Sequence, residues 1–198
     1  ITEDNVAAQL AGCDGIIVPG GFGDRGIEGM ITTAKYCREH DIPYLGICLG
    51  MQIAVIEFAR HVCGLADANS GEFSKTSAHK IIDFLPDQSE TIDKGATLRL
   101  GAYPCHILPG TRMHECYGCD EIRERHRHRY EFNNDYREML TDAGMTLCGQ
   151  SPDGHIVEAV ELSDHRFFVG VQFHPEFKSR PNRAHPLFKA LVESSLKK

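Results

Sequence analysis

Residues 43 to 59 read PYLGICLGMQIAVIEFA: a short apolar run, a cysteine with glycine two places to either side, then a longer apolar run. This reads as strand, sharp turn and helix. Gly46 and Gly50 stand where a nucleophile elbow requires small side chains. Such a turn lifts Cys48 out of the sheet and sets its thiol at a helix N-terminus, whose partial positive charge lowers a thiol pKa. It also turns the Leu49 N–H toward any oxyanion formed beside the sulfur. On these five residues alone, a core cysteine that happens to lie near glycines remains an open alternative.

The flanking sequence supplies a frame for that elbow. Residues 15–19, GIIVP, form an apolar run closed by Pro-Gly-Gly, which reads as a buried strand entering a tight loop. Over residues 27–39, Ile27, Met30, Ile31, Ala34 and Cys37 fall at helical spacing. YLGI (44–47) is a second buried strand, and residues 51–62 form a helix that is apolar almost all round. Short connections of this kind imply parallel strands with crossover helices. Farther on, residues 79–85, 96–103, 145–151, 155–162 and 166–173 read as strands, with Ser151-Pro152-Asp153-Gly154 as a hairpin turn. Residues 135–143 and 186–195 read as helices, and Asp87 to Asp93 as a solvated acidic loop. The expected fold class is α/β: one open, mostly parallel sheet flanked by helices, with an added antiparallel portion, in a single domain over 1–198. The lead-in ITEDNVAAQLAGCDG leaves a sheet edge uncovered, as if the chain were a piece of something longer.

A thiol nucleophile needs an imidazole, and the imidazole needs an orienting group. QFHPEF (172–177) offers both: His174 and Glu176 are two apart in an expected extended segment, and Pro175 biases His174 toward extended geometry. Ten other histidines are conceivable bases or surface residues, but only His174 has a carboxylate so placed at a strand end. PGGFG (19–23) allows backbone N–H groups to converge on an anion. No G-K-[ST] follows it, so an oxyanion role fits better than a phosphate loop, and a plain tight turn stays possible.

Composition narrows the partners. The net charge of −7 argues against a general nucleic-acid or anionic-membrane surface, and no apolar run is long enough to span a bilayer. The eight cysteines lack a disulfide pattern, with Cys37, Cys63 and Cys148 on apolar faces, so reduced thiols in a cytoplasmic protein are expected. His114-x-Cys116-x-x-Cys119 lacks the fourth ligand of a closed zinc site, and no metal is expected. Arg123, Arg125, Arg127 and Arg129 alternate with His126 and His128 as a basic strand, read either as a solvated face or as a phosphate or nucleic-acid contact.

The order of glycine-rich loop, G-x-C-x-G and H-P-E resembles the triad (class I) glutamine amidotransferases. VPGGFGDRGIEGMI, NSGEF, LRLGAYPC, ERHRHRYEFNN and QFHPEFKSRP, spread over nearly the whole chain, look like the glutaminase domains of the CTP synthase family. That resemblance implies a flavodoxin-like amidotransferase fold and hydrolysis of the side-chain amide of L-glutamine. Cys48 would be the nucleophile, His174 the acid/base and Glu176 its orienter. Gly21 and Leu49 would supply oxyanion N–H groups, and Gly50, Met51 and Gln52 would line the glutamine pocket. Glu72 would face the substrate ammonium and Arg129 its carboxylate, a pairing that suits a two-pronged guanidinium. The resemblance also implies a preceding synthetase domain, and a first strand and helix, beyond this sequence. That domain would use ATP, Mg2+ and UTP, with GTP as an allosteric activator and a homotetramer as the whole assembly; no cofactor is implied for the chain itself. Amidotransferases with another acceptor, a γ-glutamyl peptidase and a non-catalytic module on the same fold are the rival readings.

Overall fold

A computed structural model describes residues 1–84 and 99–197. The acidic stretch Asp87 to Asp93 and the first three residues of the strand expected over 96–103 lie outside the described residues.

The strand–helix alternation of the first third forms as its periodicity indicates. A short helix α1 (Val6–Gln9) leads to β1 (Ile16–Val18), α2 (Ile27–Glu39), β2 (Tyr44–Ile47) and α3 (Leu49–His61). Helix α2 buries Ile27, Ile31, Ala34 and Cys37, which share one stripe at helical spacing. Helix α3 is buried without interruption from Leu49 to Ala59, as its all-round apolar sequence requires. Then follow β3 (Asn69–Ser70), β4 (Lys80–Phe84), β5 (Arg99–Ile107), α4 (Arg112–Tyr117), β6 (Glu121–His128) and β7 (Tyr130–Phe132). A 3-10 turn, Asn134–Tyr136, runs into α5 (Arg137–Asp142), and β8 (Met145–Gln150), β9 (Val157–Leu162) and β10 (Phe168–Val171) complete the strands. A second 3-10 turn, Pro175–Phe177, precedes α6 (Pro186–Leu196), which starts with proline at its first position, where no N–H is needed.

Seven strands make one sheet in the order β1-β2-β10-β9-β8-β5-β6, and β3-β4-β7 form a small second sheet. The parallel part is the trio β1, β2 and β10; the other pairings in the large sheet are antiparallel, so the antiparallel addition is the larger half. In the parallel trio, alternate residues face two apolar layers. Tyr44 and Phe168 pack toward α2 and α3, whereas Leu45, Ile47, Val169 and Val171 pack toward α4 and α6. Strands covered on both faces read as continuous apolar runs, and each fully buried aliphatic side chain contributes about 1.5–3 kcal/mol.

The sheet curls. At its far edge β6 returns to the end of β10, where the His174 N–H donates to Arg125 O at 2.8 Å. Strand β6 alternates without a break: Arg123, Arg125 and Arg127 face solvent, while Ile122, Glu124, His126 and His128 face inward. The basic strand expected from sequence therefore has its arginines outside and its histidines in the core. All eight cysteines are free. No helix among the described residues is long and apolar enough to cross a membrane.

Candidate active site

Cys48 is the junction between β2 and α3, with φ 52° and ψ −101°. That conformation is sparsely populated for a residue with a Cβ. The glycines around it explain how the turn closes. A Cβ on Gly46 would stand 2.5 Å from the carbonyl carbon and oxygen of Gly50, and one on Gly50 would overlap the carbonyl of Val18. The Cys48 N–H donates to Val171 O at 2.7 Å, which ties the elbow to β10.

The elbow was expected to lift the sulfur out and lower its pKa. The opposite holds in this state: Cys48 is only 3% exposed, and burial pushes the thiol up to about 12. The Leu49 N–H, at the head of α3, pulls the other way, and the carboxylates of Glu131, Glu176 and Glu72 add to the upward shift. Desolvation wins because the dipole of one helix start offers less than full hydration of a thiolate.

His174 comes to this sulfur from the end of β10. Its Nδ1 lies 2.6 Å from Glu176 Oε1, and its Nε2 is buried without a hydrogen-bond partner among the described residues. His174 is extended (φ −113°, ψ 90°), as the following proline requires. Glu176, by contrast, lies in the one-turn 3-10 helix rather than in an extended run, and the tight turn still folds its carboxylate back onto the ring. A Cβ on Gly20 would lie 2.7 Å from His174 Cε1 and 3.6 Å from Cys48 Cβ. The imidazole, the cysteine and the glycine loop therefore share one small space. Sequence reasoning singled out Gly21 and passed over Gly20; the neighbouring Pro-Gly-Gly was the available signal. Gly21 abuts the Leu49 side chain, since a Cβ there would sit 3.0 Å from Leu49 Cδ2.

A cavity of about 340 Å³ opens at the sulfur. Cys48, Gly21, Gln52, Glu72 and Arg129 line it, together with Phe22, Arg127, His128 and Tyr130. The small sheet explains the far wall: Glu72 follows β3, while Arg129 and Tyr130 sit where β6 gives way to β7. Burial raises the Glu72 carboxyl, and the Gly23 N–H, 3.1 Å from its Oε1, and Arg129 oppose that rise. Gly50 and Met51, expected in the pocket, lie in the first turn of α3, packed against β1 and β10, and are not among the residues lining the cavity. Phe22, His128 and Tyr130 were not anticipated, and Arg127 was left without a role. Arg127 lies over the exposed Phe22 ring at 5.7 Å from its centroid, a contact between residues far apart in sequence that no local pattern reveals.

Behind the cavity wall lies a buried polar cluster. Arg99 pairs with Glu158 at 2.6 Å, His126 Nδ1 lies 2.9 Å from His128 Nε2, and His128 Nδ1 lies 3.1 Å from Glu131 Oε1. His126, His128 and Glu158 bring potential ligand atoms within 4.8 Å of one another, but the Arg99 guanidinium already holds that carboxylate. In the motif considered for metal in the sequence, His114 pairs with Asp120 at 2.8 Å, and Cys119 Sγ lies 3.5 Å from Glu121 O. Burial raises the Glu158 carboxyl to about 7 and outweighs the opposing pull of Arg99. A carboxyl raised on folding stabilises the fold at low pH and loses that contribution as pH climbs from the ordinary carboxylate range through about 7. Burial pushes His126, in the same cluster, down to about 2, and that tilts stability the other way over part of the window, so the test is the difference between two proteins. Urea unfolding should show a slope of stability against pH that is more positive in Glu158→Gln than in the wild type; equal slopes would refute the assignment.

A family model for class I glutamine amidotransferases matches residues 1–194. The CTP synthase of Carboxydothermus hydrogenoformans is 59% identical over 197 residues, which is 100% of this chain and 37% of that protein. The CTP synthase of Moorella thermoacetica is 62% identical over 190 residues, covering 96% of this chain and 35% of that protein. The chain thus spans a little over a third of the length of these relatives. Among solved structures, the glutaminase domain of Trypanosoma brucei CTPS with bound acivicin superposes with a TM-score of 0.92 at 42% identity, covering 98% of this chain and 75% of that one. With its elbow, its imidazole–carboxylate pair and its cavity all on that scaffold, the chain belongs to the class I glutamine amidotransferases, in the branch formed by the glutaminase domains of CTP synthases.

Proposed function

We propose that this chain hydrolyses the side-chain amide of L-glutamine through Cys48, His174 and Glu176. The observation that carries the reading is a single cavity with a nucleophile at its floor, a carboxylate at Glu72 and a guanidinium at Arg129. That charge pattern matches a free α-amino acid, whose ammonium would meet Glu72 and whose carboxylate would meet Arg129. Gly21, Leu49, Gly50, Met51 and Gln52 complete the pocket for the amide end.

The chemistry follows from the hydrogen bonds. Glu176 accepts from His174 Nδ1–H, which leaves Nε2 as a base. The Cys48 sulfur attacks the amide carbon as its proton passes to Nε2, and the new oxyanion rests against the Leu49 and Gly21 N–H groups. Each such donor is worth about 3–4 kcal/mol in a dry site. His174 returns the proton to the leaving nitrogen, ammonia departs, and a glutamyl thioester remains. Water, deprotonated by His174, then releases glutamate and restores the thiol. A thiol held up near 12 suits this order, because the proton leaves only as the substrate is attacked.

In the longer protein we propose that the ammonia serves ATP-dependent amination of UTP to CTP in an adjoining synthetase domain. ATP, Mg2+, UTP and GTP act there, in a cytoplasmic homotetramer, and this chain folds as one unit. An electrophilic glutamine analogue tests the hydrolytic reading. It should modify Cys48 alone among the eight cysteines, as mapped by peptide mass spectrometry, and excess glutamine should protect. Labelling spread over exposed Cys13 and Cys119 with Cys48 spared would refute it.

A further inference from the structure

We infer that Gln172 is the side chain that holds and polarises the Cys48 sulfur, and that Gln52 aims it. The inference deepens the reading of Cys48 as nucleophile and rests on it. Strands β2 and β10 run parallel with Ile47 opposite Val171, so the next residue on each strand, Cys48 and Gln172, emerges side by side. Gln172 Nε2 donates to Cys48 Sγ at 3.6 Å. Its Oε1 accepts from Gln52 Nε2 at 3.2 Å, and the same Gln52 nitrogen donates to Tyr130 O at 3.1 Å. Those two donations use both hydrogens of the Gln52 amide. They fix the Gln172 amide with its carbonyl toward Gln52 and its NH2 toward the sulfur.

Gln172 is fully buried and Gln52 nearly so, at 0% and 3% exposure. An amide buried this far costs stability unless it is paired. The surroundings of the sulfur make the donor useful. Glu131 on β7, Glu176 in the 3-10 turn and Glu72 after β3 all act on the thiol as negative charges, while the Leu49 N–H at the start of α3 is a donor that opposes them. His174 stands ready to take the proton. A second donor at the sulfur strengthens as charge develops there, since a hydrogen bond to an ionised acceptor is about twice as strong as one to a neutral acceptor. Gln172 is thus a neutral donor in a ring of carboxylates, and Gln52, which also lines the cavity, couples its orientation to the pocket.

The test uses Gln172→Met, which keeps the volume and removes the donor, and Gln172→Glu, which keeps the shape and replaces the donor with a carboxylate. Alkylation of Cys48 by iodoacetamide is followed by mass mapping at fixed pH values between roughly 7 and 10, where a thiol held up near 12 reacts in proportion to its small thiolate fraction. Gln172→Met should slow it roughly ten- to hundredfold at each pH. Gln172→Glu should slow it further. Unchanged rates in both variants overturn the inference, and so does slowing in Gln172→Met with a wild-type rate in Gln172→Glu, which marks a purely structural role. Failure of the wild-type Cys48 to react with the glutamine analogue would instead strike the nucleophile reading, so the two failures are separable.

Discussion

Cys48→Ala should reduce ammonia release from glutamine by about 10⁴-fold or more while the protein stays folded. The magnitude is large because sulfur, imidazole and carboxylate act as a unit, and nothing else at the cavity floor can form the covalent intermediate. The fold should survive because alanine keeps the Cβ, so the backbone at 48 meets the same strain as before. The lost packing of one buried sulfur costs about 1 kcal/mol, a shift of roughly 2–4 °C in Tm for a domain of this size. Glutamine binding, read by calorimetry, should persist, because Glu72 and Arg129 are untouched. Hydrolysis above a tenth of the wild-type rate would move the nucleophile elsewhere. Joined to the proposed synthetase domain, the same variant should still form product from added ammonia.

The second large effect belongs to a residue with no functional group. Gly50→Ala places a methyl into the backbone carbonyl of Val18, an overlap that no side-chain rotation relieves. Either α3 lifts away from β1 or the elbow opens, and the cost should be about 3 kcal/mol or more, with Tm lower by roughly 6–12 °C. Activity should fall as well, because Gly50 follows directly on the Cys48–Leu49 turn. Gly12→Ala is the matching control. Its φ of +83° strains any side chain, but no atom of the described residues lies within 4 Å of the added methyl. Only the backbone strain of a left-handed residue, about 1–2 kcal/mol, is then at stake. Equal destabilisation by the two substitutions, measured by urea unfolding, would show that the close approach at Gly50 carries no special weight.

Local chemistry made much of the candidate site's geometry readable. The glycines about Cys48, the proline after His174 and the carboxylate two places on each impose a geometry within a few residues, and the structure brings them to one place. The strands and helices that hold them follow the apolar spacing of α2, β2 and α3. What stayed hidden depends on pairing across long separations. The curl that returns β6 to β10 is invisible to local periodicity, and with it the inward turn of His126 and His128 and the use of the β6–β7 junction as a cavity wall. Gln172 was unreadable for the same reason: its relation to Cys48, 124 residues away, exists only once Ile47 is known to lie opposite Val171. The thiol pKa was misjudged because a helix start is visible in sequence, whereas the depth of burial that overrides it is not.

A side chain at φ 52° between two packed elements has a consequence for any attempt to harden this protein. Position 48 is the point at which backbone comfort and reactivity exclude one another. Glycine there would relax the chain and erase the sulfur in one stroke, so a screen for thermal endurance alone would drift toward an inert scaffold.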